Sequence, residues 1–120
     1  MDFKGILISN NETTLLIEKL TTRYVDVEKL ASKKLMWNSF KTKPRKMEYD
    51  IAKNHIPTDK RLYFYLERSR LLYAANHAEI LAFVEELEPW EEIDAYIFDD
   101  SFEWVFSITH DDLTVLMIGL

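Results

Sequence analysis

The sequence predicts an α+β domain: an antiparallel sheet with helices packed mainly on one face. Three observations carry that prediction. Residues 94–120 hold three runs rich in β-branched and aromatic residues, 94–99, 103–109 and 113–118, separated by the acidic breaks Asp99-Asp100-Ser101 and His110-Asp111-Asp112. They read as a C-terminal three-strand meander. Arg61-Leu62-Tyr63-Phe64-Tyr65-Leu66 is a further aromatic strand, with a turn at Glu67-Arg68-Ser69 and a return strand at Leu71–Ala74, so a hairpin precedes the meander. Apolar residues recur at helical spacing in two stretches, one ahead of the hairpin and one between hairpin and meander.

In chain order, Gly5-Ile6-Leu7-Ile8 is an apolar run that reads as a brief strand or an irregular start. A helix follows, with Asn11 as its cap and Leu15, Leu16, Leu20 and Tyr24 at helical spacing. A second helix is expected from Asp26, with Val27, Leu30, Ala31 and Leu35 on one face, running on into Met36–Phe40. Pro44 breaks it. Met47–Asn54 reads as one more helical stretch, and His55–Asp59 as a loop. Asn76 and Glu79 form a capping-box pair ahead of the stripe Ile80, Phe83, Val84 and Leu87, and Pro89 ends that helix; Leu71 opening the helix is the alternative to the return strand. In the middle strand of the meander, period two places Trp104, Phe106, Ile108 and His110 on one face and Glu103, Val105, Ser107 and Thr109 on the other. A helix is expected over the aromatic face.

A chain of 120 residues makes a single domain, 1–120. It has no cysteine, which excludes disulfides and thiolate metal sites. Its start lacks a basic region followed by a long apolar core, and its apolar runs are too short to span a bilayer, so a cytoplasmic protein without membrane contact is expected. The net charge of −6 is unevenly spread. Residues 1–70 hold all 15 Lys and Arg and 9 acids, and carry +6; residues 71–120 hold no Lys or Arg and 12 acids, and carry −12. Opposite halves of this kind can simply pair within the fold, or the acidic half can meet a basic partner.

No catalytic set stands out. His110, Asp111 and Asp112 could ligate a metal or do acid–base work, which would make a small metal-dependent enzyme. The triplet lacks a spaced partner motif, however, and a turn explains it as well. His55 and His77 have no neighbouring partner in sequence. The basic segment 29–46, with Lys29, Lys33, Lys34, Lys41, Lys43, Arg45 and Lys46 around Trp37 and Phe40, suggests a nucleic-acid-binding module. A solvated helix face with core aromatics is the better reading, because an acidic protein repels phosphate. Two glycines leave little for a phosphate cradle, no Ser lies in a nucleophile elbow, and no cofactor is expected.

The acidic series Glu85, Glu86, Glu88, Glu91, Glu92, Asp94, Asp99, Asp100, Glu103, Asp111 and Asp112 is the stronger clue. Carboxylates at turns are expected to be exposed, and a dense single-sign surface speeds encounter with a cationic protein. They are the candidate partner-binding residues. Solubility and protection of sheet edges are the alternative explanation.

Within Trp90–Gly119 stand an aspartate-led strand, Asp94–Asp99, the turn Phe102-Glu103-Trp104, and a strand closing in Thr109-His110-Asp111. This pattern resembles the end of small bacterial immunity-type proteins encoded beside contact-dependent or polymorphic toxins. It lacks the Gly-rich central turn of the immunity superfamily related to a yeast cell-wall assembly regulator. The resemblance covers about a quarter of the chain. It implies an immunity protein that binds and neutralises a cognate toxin, a basic nuclease-type protein, with Trp104, Thr109 and His110 as structural signature and no residue doing chemistry. Homodimerisation through strand 61–66 or 113–118 is a further expectation.

Overall fold

The computed structural model describes residues 5–33 and 35–120, without the side chains of residues 32 and 33. Its centre is an antiparallel sheet of seven strands among the described residues: β1 (Ile6–Leu7), β2 (Arg45–Glu48), β3 (Leu62–Leu66), β4 (Leu71–Ala75), β5 (Ala95–Phe98), β6 (Val105–Ile108) and β7 (Thr114–Ile118), in the order β1-β4-β3-β5-β6-β7-β2. The helices are α1 (Asn10–Tyr24), α2 (Val27–Lys33), α3 (Tyr49–Ala52) and α4 (His77–Glu85), with 3₁₀ turns at Met36–Asn38 and Lys53–His55. The α+β class, the hairpin β3–β4 and the meander β5–β6–β7 are as the sequence predicts.

The layering differs from the expectation, because helices cover both faces of the sheet. On one face, Ala95, Ile97, Trp104, Phe106, Ile108, Val115 and Met117 pack under Tyr49, Ala52, Ile80 and Val84 of α3 and α4. On the other, Tyr65, Leu72, Tyr96, Phe98 and Val105 pack under Leu20 and Tyr24 of α1 and against Val25, Met36 and Phe40. All four residues of β5 and of β6 are therefore buried. Each large apolar side chain taken fully out of water is worth about 1.5–3 kcal/mol, so the two middle strands concentrate the driving force. Ser107 sits in that interior with a hydroxyl that finds no hydrogen-bond partner among the described residues.

Local differences have local causes. The cap of α1 is Ser9, whose Oγ accepts from Glu12 N–H at 3.3 Å, so the helix starts upstream of the expected Asn11 cap. Asp26 caps α2 through Oδ1, which accepts from Glu28 and Lys29 N–H at 3.0 and 3.4 Å. That helix does not run on to Phe40. Leu35 is extended, a 3₁₀ turn follows, and Phe40 bridges to Val25. Arg45–Glu48, expected as loop and helix start, is an edge strand on β7. Strands 62–66 and 114–118 are each paired on both sides. Neither leaves an edge for a dimer, and the open edges belong to β1 and β2.

Candidate functional site

The end of the sheet at which β5 begins and β6 finishes holds a cleft between α3, the C-terminal end of α4, the following loop and the β6–β7 turn. Asp50, Glu85, Glu88, Glu91, Glu92 and Asp112 line it, together with His110 and the apolar Tyr49, Val84, Leu87, Ile93 and Leu113. The loop is Glu88-Pro89-Trp90-Glu91-Glu92, and Trp90 is 77% exposed.

Part of this charge is bound within the protein. Glu85 accepts from Tyr49 Oη at 3.2 Å and lies 3.6 Å from Lys53 Nζ. Burial and that carboxylate push the Tyr49 hydroxyl up. Glu91 accepts from Glu88 N–H at 3.0 Å and Glu92 pairs with Arg68 at 3.4 Å. Glu85, Glu86 and Glu88 stand at the C-terminal end of α4, whose last turn has no basic residue. A helix C-terminus carries partial negative charge, so carboxylates there are destabilising and cations would be favoured.

Behind the cleft lies a buried carboxylate. Asp94 is 1% exposed. Its Oδ1 accepts from Trp37 Nε1 at 2.9 Å and from His110 N–H at 3.1 Å, and lies 2.9 Å from His110 Nδ1; its Oδ2 accepts from Arg68 Nε at 2.8 Å. A carboxylate only accepts, so the imidazole presents its Nδ1–H to it. Burial would raise the Asp94 pKa, but the bonds from Arg68, His110 and Trp37 outweigh it and hold it below the ordinary carboxylate value. Beside it, Tyr96 donates to Glu67 and accepts from Trp37 N–H at 3.0 Å; burial pushes the Glu67 carboxyl up against the pull of the bonds from Tyr96 and from Met36 N–H.

The other end of β5 repeats the device. Asp99, also 1% exposed, accepts from Trp104 Nε1, Lys60 Nζ and Ser101 N–H, each at 2.9 Å, and from the Ser101 hydroxyl. Those donors overcome burial and bring its pKa down to about 2.

The candidate residues thus divide. Glu85, Glu88, Glu91, Glu92 and Asp112 come together in the cleft, and Glu86 lies exposed beside it. Asp94 and Asp99 do not belong to any surface; their place among the exposed acids is corrected by burial and full hydrogen bonding. Asp100 and Glu103 are exposed at the β5–β6 turn, the far end of the meander. Asp111 is exposed in the β6–β7 turn, where Thr109 Oγ1 accepts its N–H at 3.3 Å. Of Trp104, Thr109 and His110, the first two are buried, and His110 bonds Asp94 and meets the Trp37 ring edge-on at 5.8 Å. His110, Asp111 and Asp112 do not converge, and no group of three metal-ligating side chains occurs among the described residues. Sequence reasoning missed Trp37 and Arg68 as members of the Asp94 network. The available signal was that a buried indole N–H needs an acceptor.

Within the basic segment, Lys29, Lys41 and Lys43 line one surface pocket with Trp37, Phe40 and Leu116. Phe40 is buried, Trp37 is tied to Asp94, Lys41 Nζ donates to Thr22 O at 2.6 Å and Arg45 to Leu120 O at 3.1 Å. Phe40 thus has no free ring face for stacking on bases, whereas Trp37 is half-buried. Lys34 lies outside the described residues, as does the side chain of Lys33. No helix among the described residues is long and apolar enough to cross a membrane.

Residues 2–119 match a family described as a family of unknown function (DUF6756), and the chain belongs to it. No curated protein and no solved structure gives a match.

Proposed function

We propose that this member of the family is a binding protein of the immunity type, which neutralises a cognate basic, nuclease-type toxin through its acidic cleft and catalyses nothing itself. The observation that carries the reading is the position of Glu86 and Glu88. Carboxylates at a helix C-terminus weaken the free protein, whereas a cationic partner seated there would convert the same charges into attraction. The exposed Trp90 supports it. A tryptophan flanked in sequence by Glu88, Glu91 and Glu92, three acids of the cleft, has the composition of an interface anchor with a charged rim. The buried Asp94 behind the cleft gives that surface a rigid support.

The test is co-purification with the product of the neighbouring gene, at low and high salt. A complex that weakens with salt, inhibits the toxin, and loses about 2 kcal/mol of affinity on Trp90→Ala is expected. No complex, or one indifferent to salt and to Trp90, overturns the reading.

A further inference from the structure

A second concave surface lies at the far end of the meander from the acidic cleft. A groove of about 990 Å³ runs between the outer side of α1 and the β5–β6 turn, with Tyr63 of β3 also lining it. Its apolar surface comes from Leu15, which is 62% exposed, and from the partly buried Leu16, Tyr63 and Phe102. An apolar position on a helix that leaves its side chain in solvent, next to further apolar surface, marks a face awaiting cover.

Phe102 makes one wall and is held there against its own preference. Its φ is 55°, the left-handed region, where a bulky residue costs about 1–3 kcal/mol. Tyr24 Oη donates to its carbonyl at 2.6 Å, and its ring lies on Phe98 with centroids 5.6 Å apart. The wall is therefore preformed.

The charges at the border choose the partner. Glu12, Glu18 and Asp100 line the groove, and none of the three is in an ion pair among the described residues. The two cations there are turned onto the protein's own rings: Lys19 Nζ stands 5.6 Å from the Phe102 centroid, and Arg23 lies over Tyr24 while donating to its hydroxyl at 3.3 Å. The strands below offer no backbone edge, since β3 is paired with β4 and β5, and β5 with β3 and β6. An added strand has nowhere to bond, so an occupant must bind through side chains, as a helix in a groove does.

We propose that this groove docks an amphipathic helix of a partner protein, its apolar ridge covering Leu15 and Phe102 and its Lys or Arg side chains meeting Glu12, Glu18 and Asp100. This surface is separate from the acidic cleft and stands or falls independently of the toxin reading.

The experiment is fluorescence anisotropy of the full chain with a labelled leucine–lysine amphipathic peptide at moderate salt, and with its leucine–glutamate counterpart. The lysine peptide should bind and the glutamate peptide should not. Leu15→Asp should weaken binding at least about tenfold, and Glu12→Gln with Glu18→Gln severalfold. Glu86→Lys with Glu88→Lys, in the other cleft, should leave it within about twofold. Circular dichroism checks that Leu15→Asp is folded, and amide shift changes on peptide addition should centre on residues 12–23 and 99–102. The proposal is overturned by no binding, by equal binding of both peptides, or by loss confined to the Glu86/Glu88 variant with shifts mapping to that cleft.

Discussion

Trp37 and His110 meet on a single oxygen: Oδ1 of Asp94 lies 2.9 Å from both the indole Nε1 and the imidazole Nδ1. Through this atom the 3₁₀ turn after α2 is tied to the end of β6, and Arg68 on Oδ2 adds the β3–β4 turn. Asp94→Ala would strand an indole N–H and a backbone N–H and remove the partner of a guanidinium. A loss of about 3 kcal/mol is expected, discounted for the half-exposed Arg68, with native helix content retained in mild conditions. Urea unfolding of wild type and variant measures it.

Asp99 predicts acid sensitivity. Its pKa falls from 3.8 in the unfolded chain to about 2 in the fold. A depressed folded value contributes stability above the unfolded pKa, and that contribution fades as pH drops from about 4 to about 2. The stake is about 2 kcal/mol. Glu67 has the opposite sign, because its folded pKa is raised and protonation favours the fold. Asp99→Asn should flatten the acid limb of stability against pH; an unchanged limb would remove Asp99 as its cause.

Glu86→Lys and Glu88→Lys separate stability from binding. Each should raise the stability of the free protein by about 0.5 kcal/mol by suiting the end of α4. Both should weaken toxin binding. Thermal melts of the isolated chain and titration against the toxin give the two signs. A variant that gains stability and keeps full affinity would leave these glutamates without the proposed role.

Gly119 is irreplaceable on steric grounds. Its φ is +85°, and a Cβ there would stand 2.2 Å from the carbonyl oxygen of Glu103 and 2.9 Å from Trp104 Cα. Gly119→Ala should cost at least about 2 kcal/mol, combining backbone strain with displacement of a main chain that cannot yield cheaply. Denaturant midpoints test it.

The meander, the hairpin and α4 were legible because each has a local signature: alternation, aromatic runs, and the reciprocal Asn76–Glu79 cap at 2.8 and 3.0 Å. β2 was not, since Arg-Lys-Met-Glu has no strand character of its own and becomes a strand only by pairing with β7. Burial of the sheet on both sides was half visible. Ala95-Tyr96-Ile97-Phe98 is a continuous apolar run, the mark of a strand covered twice, but the alternation in β6 drew attention to one face. The gravest misreading concerned Asp94 and Asp99. Charge counting treats all carboxylates alike, and only tertiary structure shows which acids meet enough donors to be buried. The cleft itself, formed by glutamates near α4 and a turn from β6–β7, depends on that same assembly.

The two anchored aspartates bracket β5 like pegs at either end of a short rail. Sliding the strand by one residue would pull Asp94 and Asp99 out of their sockets together, besides turning Tyr96 and Ile97 to each other's side of the sheet. Alignment of the whole meander is therefore dictated by two ionic sockets rather than by apolar pattern alone. The amides of Tyr96 and Ile97 should consequently exchange with solvent only when the entire molecule opens.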